Sequence, residues 1–113
     1  MGNLEECYSR ERLLARAQKS MDLRAEEVKD DPNRPLYHLQ PPANWNNDPN
    51  GTLYYKGYYH MFYQHNPFAD RWNWMHWGHM RSRDLVTWEH LPIALWPSLE
   101  RGEEHCFSGS AIV

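Results

Sequence analysis

The chain has 113 residues, of which 41% are hydrophobic and 24% charged, with a formal net charge of −3. That describes one globular domain or part of a larger one. No Lys/Arg patch accompanies the aromatic residues, which speaks against a nucleic-acid groove, and no apolar run approaches the ~18–20 residues of a membrane span.

Residues 3–29 contain no Pro, Gly, Trp or Phe. Leu4, Cys7, Tyr8, Leu14, Met21 and Val28 recur there at roughly helical intervals among charges of both signs, with Ala15, Ala17, Gln18, Leu23, Ala25, Glu26 and Glu27 as good helix formers between them. The pattern predicts one or two amphipathic helices, docked beside the main fold. Asp30-Asp31-Pro32-Asn33-Arg34-Pro35 ends them, because Pro excludes the helical state for the residue before it. Residues 1–35 are therefore expected to be a helical extension and linker, and residues 36–113 a separate β domain. Fifteen of the chain's sixteen aromatic side chains (six Trp, seven Tyr, three Phe) fall within residues 37–107.

Two apolar runs, residues 52–55 and 58–63, flank Lys56-Gly57 and predict a tight hairpin. A third strand is expected over 75–81, a turn at Ser82-Arg83-Asp84 and a fourth strand over 86–90. Leu91-Pro92 should end pairing, since Pro lacks the ladder donor. A fifth strand should begin near Phe107. Antiparallel strands in sequence order, followed by the start of another unit, describe an all-β fold, one blade of a β-propeller with the beginning of a second.

Cys7 and Cys106 lie far apart and outside any CxxC pair, so neither a disulfide framework nor a zinc or redox site is expected. The charges at Glu5, Glu6, Arg10, Glu11 and Arg12 occupy the place of a signal peptide's apolar stretch, and a cytoplasmic location is the expectation. Asn50-Gly51-Thr52 fits the glycosylation acceptor pattern and is read as unused. His76 and His79, three apart on a strand, should face opposite sides and cannot share a metal ion. No metal or cofactor is expected.

The most informative segment is Trp45-Asn46-Asn47-Asp48-Pro49-Asn50-Gly51, read as a loop entering the first strand. Asp48 sits between amide side chains able to orient a carboxylate or bind sugar hydroxyls; the plainer alternative is an Asx-turn capping a hairpin. Downstream, Gln64, Trp72, Trp74, Trp77 and Phe107-Ser108 put rings beside polar groups. Sugars need both, although each Trp alone also serves a core.

Trp45-Asn46-Asn47-Asp48-Pro49-Asn50-Gly51 resembles the sucrose-binding box of glycoside hydrolase family 32, the invertase and fructanase family. Tyr59-His60-Met61-Phe62-Tyr63-Gln64-His65-Asn66-Pro67, His76-Trp77-Gly78-His79 with Ser82-Arg83-Asp84-Leu85-Val86-Thr87-Trp88, and Phe107-Ser108-Gly109-Ser110-Ala111 resemble three further segments of that family, in order. The resemblance implies a five-bladed propeller that cleaves β-fructofuranosides with retention. It implies Asp48 as nucleophile, Asn47 as its support, a fructosyl subsite of Gln64, Trp72, Phe107 and Ser108, and Trp45 and Asn46 at its flank. The substrate would be sucrose, sucrose 6-phosphate or a fructan, with no nucleic-acid or membrane partner.

The family's acid/base Glu belongs to a Glu-Cys motif downstream of the nucleophile, with an Arg-Asp-Pro motif between. Glu6-Cys7 precedes Asp48, and Arg83-Asp84 lacks the Pro. The sequence therefore reads as an N-terminal fragment carrying the nucleophile without its acid. It should be inactive alone; the alternative is a non-catalytic remnant with weak carbohydrate binding.

Overall fold

The computed structural model describes residues 9–35 and 39–113. The expected helix positions Leu4, Cys7 and Tyr8, and the ring of Tyr37, lie outside them. Helix α1 runs Arg10–Val28; Ser9 caps its start by accepting the Arg12 N–H, and Asp31-Pro32 follows in a turn. Its inward face is Leu13, Ala17 and Met21, with Leu14, Ala25 and Val28 partly buried beside them. Ala17 and Met21 meet Ala43 and Ile93 in a small apolar core. Truncating Met21 there should cost about 2–5 kcal/mol.

Four strands follow: β1 Trp45–Tyr55, β2 Tyr58–Asn66, β3 His76–Ser82 and β4 Glu89–Leu95, all antiparallel in the order β1-β2-β3-β4. The predicted hairpin is present: Tyr55 pairs with Tyr58 across Lys56 (φ 48°) and Gly57 (φ 83°), the two positive-φ residues a twist-matched two-residue turn requires.

Three boundaries differ from expectation. β1 begins at Trp45, so Trp45-Asn46-Asn47-Asp48-Pro49-Asn50-Gly51 is strand rather than loop; its turn-forming residues sit in and beside two bulges. Residues 86 and 87 belong to the turn after β3, and β4 extends through Leu91-Pro92 to Leu95. As the outer strand of the sheet, β4 tolerates a residue without an N–H. Residues 107–113 form no strand.

The two faces of the sheet are covered differently. His65, Tyr63 and Met80 are buried, and the His65 ring reaches Met21 of α1. Phe62 on the other face stacks on His79 (4.1 Å) and tilts against Trp77 (5.8 Å). His76, by contrast, bonds the Trp74 carbonyl and meets Phe68 edge-on, so His76 and His79 keep separate company, as strand alternation requires. The segment after Gly102 crosses near Trp77 and Gly51 of β1. Among the described residues no helix is long and apolar enough to cross a membrane. Asn50 is only 2% exposed, so the glycosylation pattern is closed in the folded chain.

Candidate active site

The ladder between β1 and β2 slips twice. Asn46 pairs with His65 and Pro49 with Tyr63, so Asn47 and Asp48 together oppose the single residue Gln64. Asn50 pairs with Phe62 and Leu53 with His60, so Gly51 and Thr52 oppose Met61. A two-against-one bulge bends its strand and re-aims a side chain out of the pleat. Local sequence supplies the means: Pro49 withholds a ladder donor, and Gly51 adopts φ 52°.

The Asp48 carboxylate is exposed and held from two sides. Asn47 Nδ2 donates to one oxygen at 2.9 Å; the Ser108 hydroxyl donates to the other at 2.6 Å, from sixty residues away in the chain. Ser108 is brought there by a run of bonds. Met75 N–H donates to His105 Nδ1 (3.2 Å), Cys106 N–H to the Met75 carbonyl (2.7 Å), Trp77 Nε1–H to the Phe107 carbonyl (3.1 Å) and Gly51 N–H to the Gly109 carbonyl (3.3 Å). A side chain at Gly51 would press on Ala111, Phe62 and Trp77, so the close approach needs glycine.

Exposed rings adjoin the segment that delivers Ser108. Trp72 is 51% and Phe107 67% exposed, with His105 between them: 4.7 Å from the Trp72 ring and 5.7 Å from the Phe107 ring. Gln64 is buried within β2 opposite the bulge. The structure thus gathers Asn47, Asp48 and Ser108, sets Gln64 across from them, and attaches Phe107 and Trp72 through His105. Trp45 and Asn46 line an open hollow of about 390 Å³ with Arg24, Arg34 and Asp70. Trp77, an alternative sugar-facing ring by sequence, is 8% exposed and serves the core. A further pocket of about 280 Å³, between α1 and the sheet, is lined by Leu13, Arg16, Phe68, Trp74 and Trp96 and holds none of these residues.

Sequence reasoning did not single out His105. Its only signal there is position, two residues before Phe107, where side chains of a near-extended segment share a side. The described residues contain no cluster of three or more His, Cys, Asp or Glu able to hold a metal ion.

The chain is 60% identical over 84 residues to a levanase of Bacillus subtilis, covering 74% of this chain and 12% of that protein. It is 53% identical over 78 residues to a sucrose-6-phosphate hydrolase of Escherichia coli, covering 69% of this chain and 16% of that one. Among solved structures it superposes on a family 32 β-fructofuranosidase of Bombyx mori with TM-score 0.71 and 46% identity, covering 88% of this chain and 21% of that one. A fructan 1-exohydrolase of Cichorium intybus gives TM-score 0.65 and 51% identity over 71% of this chain and 15% of that one. The chain thus spans between 12% and 21% of the length of these relatives, and its four-stranded sheet fits a blade of their propeller. Residues 38–113 match the glycosyl hydrolases family 32 N-terminal domain, and the chain belongs to that family.

Proposed function

We propose that this chain supplies the nucleophile and part of the fructosyl-binding wall of a retaining β-fructofuranosidase. The observation that carries the reading is the bulge that turns Asp48 out of β1 opposite Gln64, with its two oxygens braced by Asn47 and Ser108. A nucleophile must hold one geometry while the anomeric carbon approaches, and two fixed donors do this without neutralising the charge. In the proposed step an Asp48 oxygen bonds to the anomeric carbon of fructose, and the bond to the leaving sugar's oxygen breaks. Water then releases fructose from the ester with a second inversion. Trp72 and Phe107 offer flat apolar faces to the sugar's C–H surface, and Gln64 and Asn47 address its hydroxyls. Trp45 and Asn46 flank this subsite, and α1 acts as an extension that braces the blade.

The leaving oxygen also needs a proton, from a carboxylic acid ~5–5.5 Å from the nucleophile. Asp48's hydrogen-bond partners among the described residues, Asn47 and Ser108, are not acids. Acid assistance is typically worth 10²–10⁴-fold. The 113-residue chain should therefore bind fructose and sucrose without hydrolysing sucrose at a detectable rate. Titrating both sugars into the wild type, Asp48→Ala and Trp72→Ala, followed by NMR shifts, tests the site. Binding that both substitutions leave untouched refutes it, and Asp48-dependent hydrolysis by the chain alone refutes the missing acid.

The relatives named above act, by their names, on levan and on sucrose 6-phosphate, and a solved neighbour was crystallised with sucrose. The β-fructofuranosyl unit is the common chemistry, and it is the substrate class we assign.

A further inference from the structure

We propose that His105 is a specificity-determining residue, its Nε2–H donating a hydrogen bond to a hydroxyl of the bound β-fructofuranoside; the inference rests on the site reading above.

Three observations converge on this ring. It lies between the two exposed rings of the site, 4.7 Å from Trp72 and 5.7 Å from Phe107, and links them, tilted 40° and 59° to their planes. Exposed contiguous ring surface of this kind marks a place where something binds, and sugar C–H faces suit it.

The second observation fixes the proton. Met75 N–H is a donor, so Nδ1 must be the acceptor, and a neutral imidazole then carries its hydrogen on Nε2. The same bond sets the ring's orientation from the main chain. An oriented N–H donor set among apolar rings can recognise a hydroxyl and discriminates against ligands that lack one.

The third is reach. His105 is three positions from Ser108, whose hydroxyl is on Asp48, a Cα–Cα span of at most about 11 Å. A sugar whose anomeric carbon meets Asp48 therefore brings either its own far hydroxyls or those of the unit joined to it to the His105 end. His105 is also tied to its neighbour Cys106, whose N–H bonds the Met75 carbonyl, so Met75 clamps both residues.

The test is titration of the 113-residue chain with sucrose and with fructose, reading affinity and the His105 ring ¹⁵N–¹H signal. At saturation the Nε2–H resonance should move. His105→Asn keeps an oxygen able to accept the Met75 N–H but leaves no donor at the Nε2 position, and should bind sucrose about five-fold more weakly. His105→Gln places an amide N–H near the Nε2 position and should return to within about two-fold of the wild type. Weakening with both sugars puts the hydroxyl on the fructosyl ring, and weakening with sucrose alone puts it on the attached unit; either supports the proposal. Wild-type affinity in His105→Asn, or an unmoved Nε2–H resonance at saturation, overturns it. So does a Gln variant as weak as the Asn variant, since an N–H donor near the Nε2 position would then not restore binding. A wild-type chain that binds neither sugar sinks the site reading and this inference together. Asp48-dependent binding indifferent to His105→Asn sinks this inference alone.

Discussion

Lowering the pH from 7 toward 4 should progressively destabilise the sheet from within, because two neighbouring buried histidines are held neutral. His65 is fully buried; its ring bonds the Trp45 carbonyl through Nδ1 at 2.9 Å, and Nε2 faces the Met21 sulfur. Burial pushes its pKa down to about 4, opposed in part by the Trp45 carbonyl and assisted by nearby His76. His76, its register partner on β3 and 4% exposed, is likewise pushed to about 4 by burial, against the opposing pull of the Trp74 carbonyl. In the unfolded chain both titrate near 6.5. The folded value lies below the unfolded one, so this stability is complete above about pH 6.5 and is lost as the pH falls from there toward 4. Two and a half pH units at about 1.4 kcal/mol each give about 3 kcal/mol per histidine. The pair then approaches the ~5–15 kcal/mol of a whole domain. Urea titrations followed by circular dichroism at several values between pH 7.5 and 5 would measure the loss, and His65→Gln should make the slope shallower, with His76, His79 and His90 still contributing. A urea midpoint that stays flat over this range, or an unchanged slope in the variant, would refute the reasoning.

Two further predictions concern packing and reactivity. A Cβ on Gly78 would overlap the ring of Tyr63, which is 3% exposed and has nowhere to go. Gly78→Ala should cost about 2–3 kcal/mol and lower Tm by roughly 10 °C or more; a Tm close to the wild type would remove Tyr63 as the obstacle. Burial, with Glu103 adding to it, raises the Cys106 thiol to about 11. Its alkylation at neutral pH should be on the order of a hundred-fold slower in the folded chain than in urea. Mass mapping of the Cys106 peptide checks this, and equal rates would contradict it.

The parts of the fold that could be read from sequence are those whose local chemistry agrees with the whole. Lys56-Gly57 demanded a tight turn between two ring-rich runs, and β3 falls within a residue of its expected bounds at both ends. β1 was hidden because Pro49, Gly51 and three Asn speak for a turn, and only pairing with β2 reveals that they occupy bulges within a strand. Pro92 misled for a related reason: its cost depends on whether a neighbour needs its N–H, and the strand order decides that. On α1, periodicity favoured large side chains, while the structure turns Ala17 inward, where a small residue lets the helix approach Ile93 and Ala43.

In the site, the sequence motifs singled out Asp48, Asn47, Gln64 and Ser108, and the structure brings these close or into register. His105 was not legible because its role depends on a main-chain donor thirty residues away. The hollow that Trp45 and Asn46 line with Arg24, Arg34 and Asp70 was equally hidden, since adjacent letters on a bulged strand give no sign of what each will face.

The Ser108–Asp48 bond spans sixty residues, yet the segment that delivers Ser108 is anchored by a handful of hydrogen bonds and largely exposed side chains. Such a segment can detach at far smaller free energy than the ladder beneath it. Each detachment would leave Asp48 with Asn47 alone, its second oxygen free to turn toward solvent. The carboxylate's aim is therefore a property of a subglobal unit with its own opening equilibrium, and whatever packs against residues 107–113 sets how often Asp48 points the right way.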